Sequence, residues 1–431
     1  MMDILRSVIG MIVIIGIAYT ISNNKSNINW KTVLTGLAIQ VFLACAFLTD
    51  LAVFAPFKVA VDALSKTFVW VINFGMDGSK LIFGALADQA AMQKVFPNSG
   101  GFVFAFMALT TIIFFGSLMA VLYYFGIMQF IIQLMAKAMV KLLNVSGAEA
   151  ISVAANVFVG QTEAPLVIKP YVDKMTKSEI STLMIGGMAT IAGGVMAVYI
   201  SILGGPDPAS QVEVATRLLT ASLMAAPATI VIAKIFVPET EHSVTYGKVE
   251  MEVEKNGTNV IEAAANGASE GMGLALNVAA MLLAFTAIIA LTNSLSSKIL
   301  TDFLGLTLNG EAITISALVG YAFSVFGFVI GVPTQDVVAF GSMLGQKIIL
   351  NEFFAYFSLS QIQSTLHAKT VFLASFAFCG FANLSSIAIQ IGGIGGIAPS
   401  RKSELAQFGL KAVIGGSLAT LLTASIAGMF F

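Results

Sequence analysis

The sequence predicts an all-α integral membrane protein, with eight transmembrane helices, two re-entrant hairpins and interfacial helices arranged as inverted repeats. Three observations predict it. Of 431 residues, 57% are hydrophobic and only 10% are charged, whereas soluble domains carry about 25% charged residues. Eight stretches are apolar over the ~20 residues that a bilayer-crossing helix needs. Two further apolar stretches hold polar and helix-breaking residues at their centres, and the same order of elements follows each.

Composition also excludes several classes. A chain with mean hydropathy +0.91 cannot cover a globular surface with polar groups, so lipid is its solvent. A net charge of -1 leaves no broad basic face, and no nucleic-acid partner is expected. Cys45 and Cys379 lie in apolar runs and read as packing residues. His242 and His367 are isolated, which argues against an imidazole metal cluster.

The expected spans are 5–21, 32–53, 102–130, 180–203, 212–236, 272–295, 370–392 and 405–430. The first reads as a retained helix and not a signal peptide. Asp3 weakens a positive start, and no small-x-small site precedes Asn23-Asn24-Lys25. Residues 57–83 mix Lys58, Asp62, Lys66 and Asp77 with apolar residues at helical spacing, the pattern of an amphipathic interfacial helix. Residues 129–143, with Lys137 and Lys141, read similarly. The stretch 312–330 is apolar enough to span but is placed at the interface, since a ninth crossing upsets the loop charges. Residues 238–259 form the polar loop, and Asn256-Gly257-Thr258 within it fits a glycosylation sequon.

The two unusual stretches are 148–171, centred on Gly160-Gln161-Thr162-Glu163-Ala164-Pro165, and 331–356, with Lys347 and Asn351-Glu352-Phe353. Irregular backbone at membrane depth survives only when buried in protein or lining a cavity, so both are expected to be re-entrant hairpins. Each precedes a helix that looks broken, first around Gly186-Gly187 to Gly193-Gly194, then at Gly380-Phe381-Ala382-Asn383. Paired interruptions in two halves point to a transport-type binding site. The chain then divides into a scaffold part (1–145), a first repeat (146–237), a connecting part (238–330) and a second repeat (331–431). Lys25 and Lys31, then Lys169, Lys174 and Lys177, then Arg401 and Lys402, lie on one side, and the Lys/Arg-free loop 204–210 on the other. The positive-inside rule therefore puts both termini outside.

Glu163 and Glu352 carry the sharpest chemical signal, because a carboxylate in hydrocarbon costs at least about 2.5 kcal/mol and is usually functional. Lys169 and Lys347 lie near them in sequence, so structural ion pairs are the competing reading. As pocket groups, the two carboxylates suit a neutral, polyhydroxylated ligand. Gln161, Thr162, Asn383 and Ser386 add neutral donors and acceptors, although polar residues of membrane helices also serve as helix–helix glue. Phe381 has a face for a planar base, or is one core Phe among 33. No G-x-x-x-x-G-K-[ST] loop occurs, which argues against an ATP-driven pump, and nothing marks an enzyme.

These residues resemble the concentrative nucleoside transporters in their bacterial form. The matching motifs are Ala155-Asn156-Val157-Phe158-Val159-Gly160-Gln161-Thr162-Glu163-Ala164-Pro165, Ala189-Thr190-Ile191-Ala192-Gly193-Gly194-Val195, Asn351-Glu352-Phe353 and Cys379-Gly380-Phe381-Ala382-Asn383-Leu384-Ser385-Ser386-Ile387. The resemblance implies a homotrimer in the bacterial cytoplasmic (inner) membrane, taking up nucleosides by alternating access. It implies that Gln161, Thr162, Glu163, Val195 and Phe381 face the nucleobase, and that Glu352, Asn383 and Ser386 face the ribose. It also implies a sodium (Na+) site made by the Asn156 and Thr190 side chains and the Val159 and Ile191 carbonyls. Some members carry Ser where this chain has Thr190, and residues 334–340 depart from the family pattern. Sodium coupling is the expectation; proton coupling through the carboxylates, or a channel-like membrane protein, are the alternatives.

Overall fold

The computed structural model describes residues 2–96, 101–247, 257–308 and 310–431, and Asn256 of the sequon falls outside them. The regular elements of the described chain are helices apart from a two-residue antiparallel ladder, β1 (Thr307–Leu308) with β2 (Glu311–Ala312), and an isolated bridge between Ser146 and Tyr246. Among the described residues, eight helical runs are long and apolar enough to cross a bilayer.

Among the described residues, the N-terminal part holds seven α-helices. α1 (Met2–Ile21) is apolar from Val8 to Ala18. The Asn29 side chain accepts from Thr32 N to start α2 (Trp30–Leu48), which stops short of the expected residue 53. α3 (Ala55–Phe83) buries Val61, Ser65, Val69, Ile72, Gly75 and Ser79 in one stripe and leaves Lys66 and Asp77 exposed. That one-sided burial is what the charge pattern predicts, yet its run is also among the eight long enough to cross. α4 (Gln89–Val95) and α5 (Phe104–Met107) are short. The expected single span 102–130 is instead divided into α5, α6 (Leu109–Tyr124) and the start of α7 (Ile127–Leu143). The first division falls at Ala108 and the second at Gly126, whose φ of 79° is left-handed backbone that glycine adopts without a Cβ clash.

The first repeat begins with α8 (Gly147–Asn156), a turn, a 3-10 segment (Ala164–Ile168) and α9 (Lys169–Val172), which together make the first hairpin. Capping boxes fix the starts of α8 (Ser146 with Glu149) and α10 (Lys177–Ala189; Thr176 with Glu179). α10 ends at Thr190, and helix resumes only at α11 (Gly193–Gly204). α12 (Pro208–Phe236) completes the repeat.

α13 (Val260–Ser296) follows, with a π-helical extension to Phe303. It starts well before the expected residue 272 because Asn259 caps it and its first turns are alanine-rich; Glu262 and Glu270 there hide a helix from hydropathy but do not break one. α14 (Ile315–Ile330) is 16 residues long and packs along the second hairpin.

The second repeat has the same order. α15 (Val337–Ile349) and α16 (Glu352–Ile362) form the hairpin, which starts and ends about six residues later than 331–356. The expected span 370–392 is two short helices, α17 (Ala368–Ala377) and α18 (Leu384–Ile397), separated by a break. α19 (Lys402–Ala427) closes the chain.

The two plain helices, α12 and α19, are largely buried and pack on each other at the centre. α10 packs against both. α1 and α2, expected within the 1–145 scaffold part, pack on α19 and α12, while α6 pairs with α13. Both hairpins are clamped by a carboxylate near their start. The Thr182 hydroxyl of α10 donates to Glu149 at 2.7 Å, and the Thr370 hydroxyl of α17 donates to Asp336 at 2.5 Å. The two broken helices meet at their breaks, where Phe381 N donates to Thr190 O at 3.2 Å.

Candidate substrate site

Each hairpin tip and each break leaves backbone groups without helical partners, so polar side chains collect there. Asn351 caps α16, accepting from Phe354 N, and sets Glu352 in the first turn of that helix. The positive end of the helix dipole favours a carboxylate there. Glu352 is 4% exposed. Its Oε1 accepts from the Tyr199 hydroxyl of α11 at 2.9 Å, and its Oε2 from Asn383 Nδ2 at 3.3 Å. Lys347 is not its partner: its ammonium bonds elsewhere, and no ion pair joins the two. The ion-pair reading therefore fails for Glu352, which leaves a buried carboxylate held by neutral donors.

Asn383 caps α18 across the second break. Its Oδ1 accepts from Ser386 N at 2.9 Å and Ser385 Oγ at 2.7 Å. Ser386 Oγ in turn accepts from Gln161 Nε2 at 3.0 Å. Gln161 Oε1 accepts from Gln390 Nε2 at 3.1 Å, which also donates to Met184 O at 3.0 Å. One hydrogen-bonded chain thus runs from Gln390 through Gln161, Ser386 and Asn383 to Glu352 and Tyr199, joining both hairpins. Gly187 makes its near end possible, since a Cβ there would lie 2.6 Å from Gln390 Nε2 and 2.9 Å from Gln161 Cβ.

Thr162 and Glu163 are exposed beside this chain. Glu163 Oε2 accepts from Gly160 N at 2.7 Å, which shapes the tip of the first hairpin. Thr162 lies against α18 at Gly393, where a Cβ would come within 3.4 Å of its methyl. Val195 is buried in the first turn of α11, and Phe381 is half-buried at the second break. The arrangement offers acceptors at both hairpins and a half-buried ring at the second break.

A second cluster lies at the first break. Asn156 is buried, donates to Ser152 O at 2.9 Å, and leaves its Oδ1 without a partner. It faces the last turn of α10, where a Cβ on Gly186 would be 3.6 Å from Asn156 Nδ2. The Thr190 hydroxyl donates to Gly186 O at 2.9 Å, so its lone pairs are free to accept. Among the described residues no backbone hydrogen bond ends on the carbonyls of Val159 or Ile191. These are neutral oxygens at a half-helix C-terminus, a donor set suited to an alkali cation.

Tyr199, Gln390 and the role of Lys347 were not legible as site features. Tyr199 had one signal, a phenol in an apolar helix, whose hydroxyl must find a partner when buried.

Residues 217–428 match the family described as Na+ dependent nucleoside transporter C-terminus, 9–86 match its N-terminus, and 105–206 match Nucleoside recognition. The nucleoside permease NupC of Helicobacter pylori is 41% identical over 432 residues, covering 99% of this chain and 97% of the permease. The chain belongs to the concentrative nucleoside transporter family. It is a multi-pass nucleoside transporter and not an enzyme. The transporter is also similar to sodium/nucleoside cotransporter 2 of Rattus norvegicus, at 34% identity over 99% of this chain and 63% of that protein. Its fold matches CNTnw in an inward-facing substrate-bound state, with TM-score 0.89, 42% identity, and coverage of 99% of this chain and 98% of that one. It matches a CNTnw variant in an outward-facing state with TM-score 0.88 and 41% identity, over 100% and 98%. One relative of the transporter thus occurs in both access states.

Proposed function

We propose that this transporter is a sodium-coupled nucleoside symporter that works by alternating access, as a homotrimer, in the bacterial cytoplasmic membrane. Gln161, Thr162, Glu163, Val195 and Phe381 take the base. Glu352, Asn383 and Ser386 take the ribose hydroxyls. Sodium takes Asn156 Oδ1, the Thr190 hydroxyl and the carbonyls of Val159 and Ile191. The observation that carries the coupling is Asn156 Oδ1, a fully buried acceptor with no donor. An unmet buried polar group costs about 1–3 kcal/mol, and a cation would meet it. The family descriptions and the rat cotransporter's name support the same ion.

The ion site adjoins Gln161-Thr162-Glu163 in the chain, so ion binding orders the tip that holds the base. Linkage then makes nucleoside tighten sodium as much as sodium tightens nucleoside. An inside-negative potential adds about 2.3 kcal/mol per charge per 100 mV to the driving force. The test is uptake of labelled uridine into proteoliposomes at symmetric pH. A sodium gradient alone should drive accumulation. Accumulation driven by a pH gradient in sodium-free buffer would overturn the coupling. Chemical cross-linking of the purified protein should stop at three subunits.

A further inference from the structure

The two repeats interrupt their broken helices in the same way, but they meet the interruption with different chemistry. α10 stops at Ala189 and α17 at Ala377, both inside packed protein. A helix C-terminus there presents unpaired carbonyls and about half a negative charge. At the end of α10 stands Asn156, the last residue of the first helix of its hairpin. At the end of α17 stands Lys347, near the end of the first helix of the other hairpin.

Lys347 is 0% exposed. Its Nζ donates to Ala377 O, the last residue of α17, at 2.8 Å, and to Thr420 Oγ1 of α19 at 2.8 Å. The Thr420 hydroxyl gives its own proton to Ser417 O at 3.0 Å, so a lone pair faces the ammonium. No ion pair within the described chain includes Lys347. A buried ammonium without a carboxylate needs compensation, and here neutral oxygens and a half-helix end supply it. These are the same kinds of ligand that Asn156, Thr190 and the first break offer.

We propose that the Lys347 ammonium is the resident cation of the second repeat, standing where the coupling ion stands in the first. The proposal rests on the sodium reading of the first break. One repeat takes its cation from solution and releases it each cycle, while the other carries its cation on a side chain. The tethered charge holds α15 to the end of α17 and so keeps the second hairpin, with Glu352 at its tip, in register with Asn383. Only the first hairpin then responds to ion concentration.

The test replaces the tethered charge in two ways and measures nucleoside affinity and melting temperature of the purified protein across a sodium series, with choline holding ionic strength constant. Lys347→Met keeps most of the stem and removes the charge. Uridine affinity should fall about tenfold or more at every sodium concentration. Lys347→Asn supplies the amide found at Asn156 and opens room for an ion. Its affinity should recover at high sodium, with a Hill coefficient rising from about one in the parent to about two. Should Lys347→Met fail to fold, the melting curve of Lys347→Asn decides, because a second bound ion adds a sodium-dependent stabilisation that the parent lacks. Parental affinity in Lys347→Met, or a single sodium step in both readouts of Lys347→Asn, would overturn the proposal. A parent indifferent to sodium would sink the sodium reading itself and the equivalence with it, and that result shows before any Lys347 variant is made.

Discussion

The Tyr199 hydroxyl donates to Glu352 Oε1 at 2.9 Å and so joins the two repeats at the candidate site. Tyr199 sits on α11 of the first repeat, Glu352 on the second hairpin. The Tyr199 ring stacks on Tyr356 with centroids 4.3 Å apart, and Phe353 meets it edge-on at 5.0 Å. Tyr356 is itself tied to Ser375 O at 2.8 Å. The phenol is therefore held by packing, and it holds one carboxylate oxygen in turn while Asn383 holds the other.

Removing that hydroxyl should weaken nucleoside binding without unfolding the protein. A hydrogen bond to a charged group contributes about 1.5–3 kcal/mol, so Tyr199→Phe should lose roughly ten- to hundredfold in uridine affinity. The ring stacking remains, so the protein should still fold, with a melting temperature lowered by only a few degrees. Titration calorimetry on the purified variant decides it. Parental affinity would mean that Asn383 alone orients Glu352.

Glu352→Gln should abolish uptake while the protein still folds and assembles. A charge-assisted hydrogen bond is about twice as strong as a neutral one. The amide also turns one acceptor into a donor, and that donor faces Tyr199 OH or Asn383 Nδ2, both of which already donate to this group. Proteoliposome uptake of labelled uridine is the measurement. A variant that transports like the parent would remove Glu352 from the ribose site.

Asn156→Ala and Thr190→Ala should each raise the sodium concentration for half-maximal uptake, by about tenfold if one ion ligand is worth about 1.4 kcal/mol. Saturating sodium should restore much of the rate in Thr190→Ala, where the neighbouring carbonyls survive. A sodium titration of initial uptake rates tests both variants. Unshifted titrations would move the ion site away from the first break.

Lys234→Met should destabilise the first repeat without touching the substrate site. Lys234 Nζ lies 2.5 Å from Glu149 and 2.9 Å from Ser178 Oγ, with both charged side chains buried. Glu149 also accepts from Thr182 and from Ser146 N, so the pair pins the base of the first hairpin to α10 and α12. Breaking a buried pair from one side costs about 3–5 kcal/mol, because the other charge stays buried. Thermal unfolding in detergent should show a large drop in midpoint. A drop that Glu149→Gln added to Lys234→Met fails to reduce would show that the stranded carboxylate is not the cause.

The membrane class, most spans, both hairpins and both breaks were legible in the residue order, because lipid imposes local rules. A run of apolar side chains must be helix, and a run such as Gly160-Gln161-Thr162-Glu163-Ala164-Pro165 cannot be a lipid-exposed one. The candidate site residues were legible for the same reason: polar groups such as Glu352 and Asn383 stand out against an apolar chain. Three things needed the tertiary structure. Gly126 divides a span that hydropathy reads as continuous, since hydropathy carries no information on φ. The partner of Glu352 is Tyr199, 153 residues away, and not the nearby Lys347, because partners are set by which helices cross and not by distance along the chain. Lys347 itself reads as an ion-pair candidate for Glu352 until α17 is seen to end at Ala377, beside its ammonium. The sequence by itself determined where polar groups enter the membrane; only the packing of one repeat against the other decided which of them meet.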